Sequence, residues 1–255
     1  MKKTPFFSVI TASYNSEKTI ARTIESLLNQ SFSNFEYIIV DGNSKDNTLT
    51  IIESFAFKFK EKNILFKYVS EPDKGIYDAW NKGIKMSEGE WISFLGSDDY
   101  YLNNALDIYY KNIIKNDKSF NYISSKIEII DEKNQTLSIV GKKFVWKNML
   151  RNMDIAQVGS FHRKDLFKTV GSFSLDYKIV GDLDFYIRTK DKINALFLDT
   201  VTAKMQNNGV SNDVNKALRE ALKVRLKYKY LPFYINYFNH YITYLKCVLK
   251  NLIKK

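Results

Sequence analysis

The chain is predicted to fold as an α/β protein with a mainly parallel central sheet flanked by helices and a helical C-terminal tail. Two observations predict it. Over the first 100 residues, short β-branched or aromatic runs alternate with stretches of helical periodicity. The polar, carboxylate-rich segments fall just after those runs, where ligands bind on parallel sheets. The composition agrees: 255 residues, 45% hydrophobic and 26% charged, are enough for a sizeable core. With three prolines and ten glycines the chain is neither collagen-like nor a flexible linker. A single cysteine, Cys247, excludes a disulfide framework and a cysteine-based zinc site, and fits a reducing cytoplasmic setting.

The first strand is expected at 6–11, within the run Phe6-Phe7-Ser8-Val9-Ile10. Lys2 and Lys3 ahead of it give a faint outline of a leader peptide. The apolar run is short, however, polar residues follow at once and no small-residue cleavage site is evident, so a buried strand is the expectation. Ser16 is placed to cap a helix whose Ile20, Ile24, Leu27 and Leu28 form an apolar stripe. A strand at 37–40 leads through a polar loop, 42–47, into a helix from about residue 48 that carries Ile51, Ile52, Phe55 and Phe59. A third strand at 65–69, a helix at 77–86 and a fourth strand at 91–95 complete the regular half. Beyond it, a helix at 103–115, strands at 122–130 and 137–140, and a helix at 182–190 with acids in its first turn are expected. Helix is also expected at 216–230, broken by Pro232, and then at 233–253.

Chemistry is expected at four places after strands: Thr11-Ala12-Ser13-Tyr14-Asn15; Asp41; the long segment from Glu71 to Gly83; and Gly96-Ser97-Asp98-Asp99. Each has an ordinary reading, since Asp41-Gly42 is a common turn and Asp98-Asp99 a common helix cap. Their order after consecutive strands favours a site. Adjacent acids at a strand end need a cation, and a hard divalent metal shared with substrate phosphates supplies one.

These segments resemble family 2 glycosyltransferases of the GT-A fold. The opening T-A-S-Y-N, E-Y-I-I-V-D-G-N-S-K-D-N-T, E-P-D-K-G-I-Y-D-A-W-N-K-G and W-I-S-F-L-G-S-D-D carry the resemblance, with Y-K-I-V-G-D-L-D-F-Y-I-R at 177–188 and N-G-V-S at 208–211. It covers about residues 4–225 and points to enzymes of bacterial capsule, O-antigen and exopolysaccharide assembly. It implies a catalytic domain at 1–215, with a nucleotide-binding half at about 1–100 and an acceptor-side half at 101–215, followed by a tail at 216–255.

The resemblance also implies roles. Thr11, Ala12 and Tyr14 would line the nucleotide base, and Asp41 would accept from its N–H, which favours a UDP-sugar. Asp73 and Lys74 would face the donor, with Asp78 and Asn81 near ribose and phosphates. Asp99 stands at the last position of the family's D-x-D motif and would bind Mn²⁺ or Mg²⁺. Ser97 departs from the motif's first position, which leaves Asp98 to serve the sugar or ribose. Asp182 aligns with the base that takes the acceptor hydroxyl's proton, with Asp184 as the alternative, and the reaction would invert the anomeric centre. Gln157 and His162 would lie on the acceptor side, with a packing role also open to His162. Arg188 would pair with acids or diphosphate, or simply be solvated.

The net charge is +11, of which +9 falls between Lys216 and Lys255. In the last helix Tyr234, Tyr237, Phe238, Tyr241, Leu245, Val248, Leu249 and Leu252 follow one face, with Asn236, Asn239, Thr243, Lys246 and Lys250 opposite. This pattern suits peripheral attachment to the inner face of the cytoplasmic membrane, where a lipid-linked acceptor would be met. The alternative is packing on the catalytic domain or a homodimer through the tail. No nucleic-acid partner is expected, because the charge is confined to the tail and no recognised motif accompanies it. A sugar nucleotidyltransferase would need a glycine-rich phosphate loop, and residues 11–18 contain no glycine. A non-catalytic sugar-nucleotide binder would have no reason to keep Asp41, Asp99 and Asp182 together.

Overall fold

The computed structural model describes residues 4–116, 119–153, 155–207 and 213–253. Its first half runs β1 (Phe7–Ser13), α1 (Ile20–Leu28), β2 (Phe35–Asp41), α2 (Thr48–Ser54), α3 (Ala56–Glu61), β3 (Leu65–Ser70), α4 (Ile76–Met86) and β4 (Trp91–Gly96). All seven residues of β2 are buried, as a strand covered on both faces requires. The four strands pair in parallel in the order β3-β2-β1-β4, with Phe7 opposite both Phe35 and Trp91.

Successive residues point to opposite faces. Val9, Tyr37, Ile39 and Leu95 therefore pack with Ile24 and Leu27 of α1 and with Ile52 and Phe59. Ile10, Ile38, Val40, Ile92 and Phe94 pack on the other face with Trp80 of α4. Helix α4 seats so closely on β1 that a Cβ at Gly83 would run into Ile10.

The expected single helix after residue 48 is two. At Phe55 the backbone N–H bonds to the Ile52 carbonyl, three residues back, and this tighter turn ends α2 before α3 begins. Ser16 does not cap α1 with its side chain. Its carbonyl accepts from Thr19 and Ile20, and Thr19 precedes the helix.

At the start of β2, Glu36 is a fully buried acid. It accepts from the Ser8 hydroxyl at 2.6 Å, from the Gly89 N–H at 3.1 Å and from the Glu88 N–H, and it pairs with Lys67 at 2.8 Å.

The second half adds β5 (Tyr100–Tyr101), α5 (Ala105–Lys115), β6 (Tyr122–Ile130), β7 (Thr136–Val140), α6 (Trp146–Met149), β8 (Ser160–Arg163), α7 (Asp165–Val170), α8 (Gly181–Thr189), β9 (Ala195–Gln206), α9 (Val214–Tyr228) and α10 (Phe233–Ile253). The sheet is mixed rather than wholly parallel. Strand β8 lies antiparallel between β4 and β6, β9 runs parallel to β6, and β5 and β7 pair antiparallel with β9 and β6. Together the strands form one nine-stranded sheet among the described residues.

The boundary expected at 215 does not fall in a gap in the packing. Helix α9 buries Ala221 and Val224 in the core beneath α8, and Arg225 donates to the Met149 carbonyl at 3.2 Å. Helix α10 packs against α9, and its Asn236 is buried. Among the described residues, no helix is long and apolar enough to cross a membrane.

Candidate active site

The carboxyl ends of β1, β2 and β4 bring the first set of predicted residues together. Asp41 closes β2 and is buried, because three serines and a backbone amide surround it. Its Oδ1 accepts from Ser13 Oγ at 3.0 Å and Ser44 Oγ at 2.5 Å, and its Oδ2 from Ser44 N–H at 2.9 Å and Ser70 Oγ at 2.7 Å. Four donors occupy the carboxylate, so a base N–H would displace one of them; Ser13 is buried, whereas Ser44 and Ser70 are partly exposed. Tyr14 lies 62% exposed at the end of β1. An added Cβ on Gly42 would stand 2.7 Å from Asp73 Oδ2 and 3.3 Å from the Tyr14 ring, which places these three residues around one narrow cleft. Ala12 packs on the α4 side of the sheet, whereas Thr11 points the other way. The Thr11 hydroxyl is fully buried and accepts from Tyr37 Oη at 3.1 Å, so its side chain belongs to the core rather than to a base pocket.

The loop before α4 is held by its own acids. Asp73 accepts from the Gly75 N–H at 2.7 Å, and Asp78, in the first turn, accepts from the Lys74 N–H at 3.0 Å. Gly75 sits at φ 116°, a conformation that favours glycine. The exposed Lys74 side chain is directed to no partner among the described residues, while its carbonyl accepts from Lys178 Nζ at 2.5 Å. Asn81 proves to be a clasp: its amide exchanges two hydrogen bonds, of 2.9 and 3.0 Å, with the Phe173 backbone. The residue that the resemblance placed near ribose and phosphates docks α4 on the second half of the chain.

After β4, Ser97 Oγ lies 2.8 Å from Ser16 Oγ. Asp98 and Asp99 both turn back over Gly96, where an added Cβ would meet Asp99 Oδ2 at 2.5 Å and Asp98 Oδ1 at 2.9 Å. Burial and the charge of Asp98 push Asp99 up to about 8, and burial also raises Asp98. Asp99 accepts from the Gln206 N–H at 3.0 Å, and the nearby Arg22 donates to the Asp98 carbonyl. A buried Asp99 and a partly buried Asp98, convergent and without an ion-pair partner among the described residues, suit a divalent cation. No cluster of three or more metal-ligating side chains occurs among those residues, so such an ion would complete its shell from substrate phosphate and water. A groove of about 440 Å³ between α1 and β5, lined by Arg22, Glu25 and Tyr100, contains none of the predicted site residues.

On the acceptor side, α8 separates its two acids. Asp182 retains partial exposure, and burial raises it to about 6. Its Oδ1 lies 3.2 Å from Tyr77 Oη, and the same hydroxyl lies 2.7 Å from the Ile179 carbonyl. Asp184 is fully buried, paired with Arg188 at 2.9 Å and accepting from Tyr228 Oη at 2.8 Å. Asp184 is therefore removed as an alternative base. Arg188 also donates to the Val170 and Ser172 carbonyls, which makes it structural.

His162 is buried among Phe94, Tyr122, Phe167 and Phe185, and burial pushes it down to about 3. It is a neutral core histidine and does not reach an acceptor. Its Nε2 lies 2.9 Å from Tyr186 Oη, which in turn donates to Gln157 Oε1 at 2.6 Å, so Gln157 is the end of this chain nearer to solvent.

Sequence reasoning missed Tyr77, Arg22 and Glu220. Tyr77 lay within the quoted G-I-Y-D segment, but nothing local marks a tyrosine that reaches across to residue 182. Glu220 accepts from the N–H groups of Lys178, Ile179 and Val180 at 2.8–3.3 Å, immediately before α8. It is the one acid in a strongly basic segment, which was the available signal. The predicted segment 208–211 lies outside the described residues.

The sequence model described as Glycosyl transferase family 2 matches residues 8–173. The chain belongs to this family and is a glycosyltransferase. A PGL/p-HBAD biosynthesis glycosyltransferase of Mycobacterium bovis is 29% identical over 198 residues, covering 72% of this chain and 69% of that one. The UDP-Glc:alpha-D-GlcNAc-diphosphoundecaprenol beta-1,3-glucosyltransferase WfgD of Escherichia coli is 35% identical over 153 residues, covering 58% of this chain and 56% of that one. The fold resembles that of S. aureus TarS 1–349, solved with UDP-GlcNAc, at a TM-score of 0.68 and 22% identity, covering 90% of this chain and 69% of that one. The GT-A architecture expected from the sequence is thus the one observed.

Proposed function

We propose that this glycosyltransferase moves a sugar from a UDP-linked donor to a hydroxyl of a glycan or lipid-linked oligosaccharide in surface polysaccharide assembly, with inversion and with Asp182 as the base. The carrying observation is the Tyr77–Asp182 contact. It joins the helix that follows the donor loop to the one acid of α8 that is free to accept a proton. The names of WfgD and TarS with UDP-GlcNAc favour a UDP donor and an undecaprenol-linked acceptor.

Asp99, with Asp98 beside it, would hold Mn²⁺ or Mg²⁺, and such an ion supplies neutralisation of the leaving diphosphate. Tyr14, Gly42 and Asp73 would frame the base, and Asp41 would accept from its N–H once a Ser44 bond yields. The acceptor oxygen forms its bond to the anomeric carbon as the bond from that carbon to the diphosphate oxygen breaks. Its proton passes to Asp182, and from there to water after product release.

A panel of nucleotide sugars tests the reading. UDP release from one UDP-sugar, dependent on added metal and lost in Asp182→Asn, is expected. Turnover that prefers a non-uridine donor or ignores a chelator would overturn the donor and metal assignments.

A further inference from the structure

Helix α10 is inverted relative to the rule for helices on a water-soluble surface. Ten of the seventeen residues from 233 to 249 are large hydrophobic side chains left 37–69% exposed, among them Phe233, Tyr234, Tyr237, Phe238, Tyr241 and Leu249. The shielded stripe is the polar one. Asn236 is 2% exposed, and Asn239, His240 and Thr243 follow it along the same edge, each partly covered. Asn236 donates to the Leu231 and Pro232 carbonyls, and Thr243 turns back on the Asn239 carbonyl. A helix that shields its polar edge and turns its aromatic groups outward is built for a surrounding less polar than water. Isolated exposed hydrophobics need no explanation, but a contiguous band of this kind does.

Charge identifies the occupant. Residues 216–255 carry ten Lys or Arg and one acid, Glu220, which is already engaged by the three N–H groups before α8. No acid lies between residues 233 and 253, where Lys246 and Lys250 stand. A second copy would set another acid-free helix with the same two lysines against this one, so self-association through α10 gains no opposite-charge pairing. An anionic lipid surface meets both needs at once: its headgroups attract the basic residues, and its interface accepts tyrosine and phenylalanine rings.

We propose that α10 lies in the plane of an anionic phospholipid surface, with the Tyr234, Tyr237, Phe238 and Tyr241 face inserted and the Asn236, Asn239 and Thr243 edge turned toward the enzyme. The proposal is independent of the donor and base assignments. Because α9 is fastened to α8 by Glu220 and by the Tyr228–Asp184 bond, a helix docked in this way holds the acceptor half of the active site at a fixed height above the lipid.

The test is co-sedimentation of the full chain with vesicles of phosphatidylcholine, with and without phosphatidylglycerol, for wild type, Tyr237→Ser/Phe238→Ser/Tyr241→Ser and Lys246→Glu/Lys250→Glu. Wild type is expected to bind the phosphatidylglycerol vesicles, to lose part of that binding in high salt, and to bind neutral vesicles at least tenfold more weakly. Both variants should keep wild-type circular dichroism and melting, since the substituted tyrosines and phenylalanine are exposed, and should lose tenfold or more in vesicle binding. Absence of wild-type binding to phosphatidylglycerol vesicles overturns the proposal. So does sedimentation equilibrium showing a dimer that the triple variant dissociates, which would make the aromatic face a contact between copies.

Discussion

Asp182 and Asp184 stand two residues apart on one helix and serve opposite sides of it. Positions i and i+2 of an α-helix are separated by about 200° around the axis. Asp182 therefore meets Tyr77 of α4 at 3.2 Å, while Asp184 meets Arg188 and Tyr228 at 2.9 and 2.8 Å. Asp182 accepts on one oxygen from the Tyr77 hydroxyl and the Leu183 N–H, and it keeps partial solvent access. Asp184 is buried under a guanidinium and a phenol.

This separation predicts different failures for the two acids. Asp182→Asn should leave UDP affinity within a few-fold and lower glycosyl transfer by about 10² or more, the scale of lost general-base assistance. Asp184→Ala should leave Arg188 and Tyr228 facing an emptied site and cost on the order of 3 kcal/mol of stability. Isothermal calorimetry and urea unfolding of the two variants separate these outcomes.

The pH dependence follows from the raised Asp182. A base with its proton affinity at about 6 is ready only above that pH, so kcat/KM should rise with pH through about 6. The Tyr77 hydrogen bond lowers Asp182, so Tyr77→Phe should move this limb upward. Stability runs the other way. Between the ordinary 3.8 and about 6 the native state holds a proton that the unfolded chain has released, so unfolding becomes easier as pH rises across this window. Asp182→Asn should flatten that slope, and melting temperatures at pH 4 and pH 7 measure it.

Metal dependence should reside in Asp99. Wild type is expected to bind UDP at least tenfold more tightly with Mn²⁺ or Mg²⁺ than with a chelator, and Asp99→Asn to bind equally under both conditions. Calorimetric titration of UDP into each protein is the measurement. A wild-type affinity unaffected by chelator would remove the ion from the proposal.

Glu220→Ala should release the segment before α8. Three N–H groups lose a charged acceptor, with a loss on the order of 2 kcal/mol. Amide exchange at Lys178, Ile179 and Val180 should quicken well beyond that at buried β1 positions such as Val9, read by mass spectrometry or NMR.

The regular half of the fold was legible because its signals are local. Apolar strands 6–7 residues long and helices with one apolar stripe follow from periodicity, and the carboxylates at strand ends follow from the order of those elements. Helix α10 spans the residues expected for it, since Pro232 marks its start. The four-residue β8, read only as the setting of His162, depends on partners about 70 residues back in β4 and about 40 back in β6. Within the site, type and position of residue were legible but direction was not. Thr11, Asn81, His162 and Asp184 are polar residues at plausible places whose hydrogen bonds turn out to belong to Tyr37, Phe173, Tyr186 and Arg188. Such pairings are decided by long-range packing, which one sequence does not display.

The two acids at the ends of β2 bear on how the sheet finds its alignment. A strand buried at every position has no polar face to distinguish one sliding position from the next, so apolar character alone would tolerate a shift. Glu36 and Asp41 remove that freedom. A one-residue slip would take Glu36 away from Ser8, Gly89 and Lys67, leaving it buried without donors, and would take Asp41 away from Ser13 and Ser70, leaving it only its local bonds to Ser44. The strand thus carries its own ruler, with a mark at each end. Asp41, at the carboxyl-end mark, has a task in assembly that is separate from the ligand contact proposed for it.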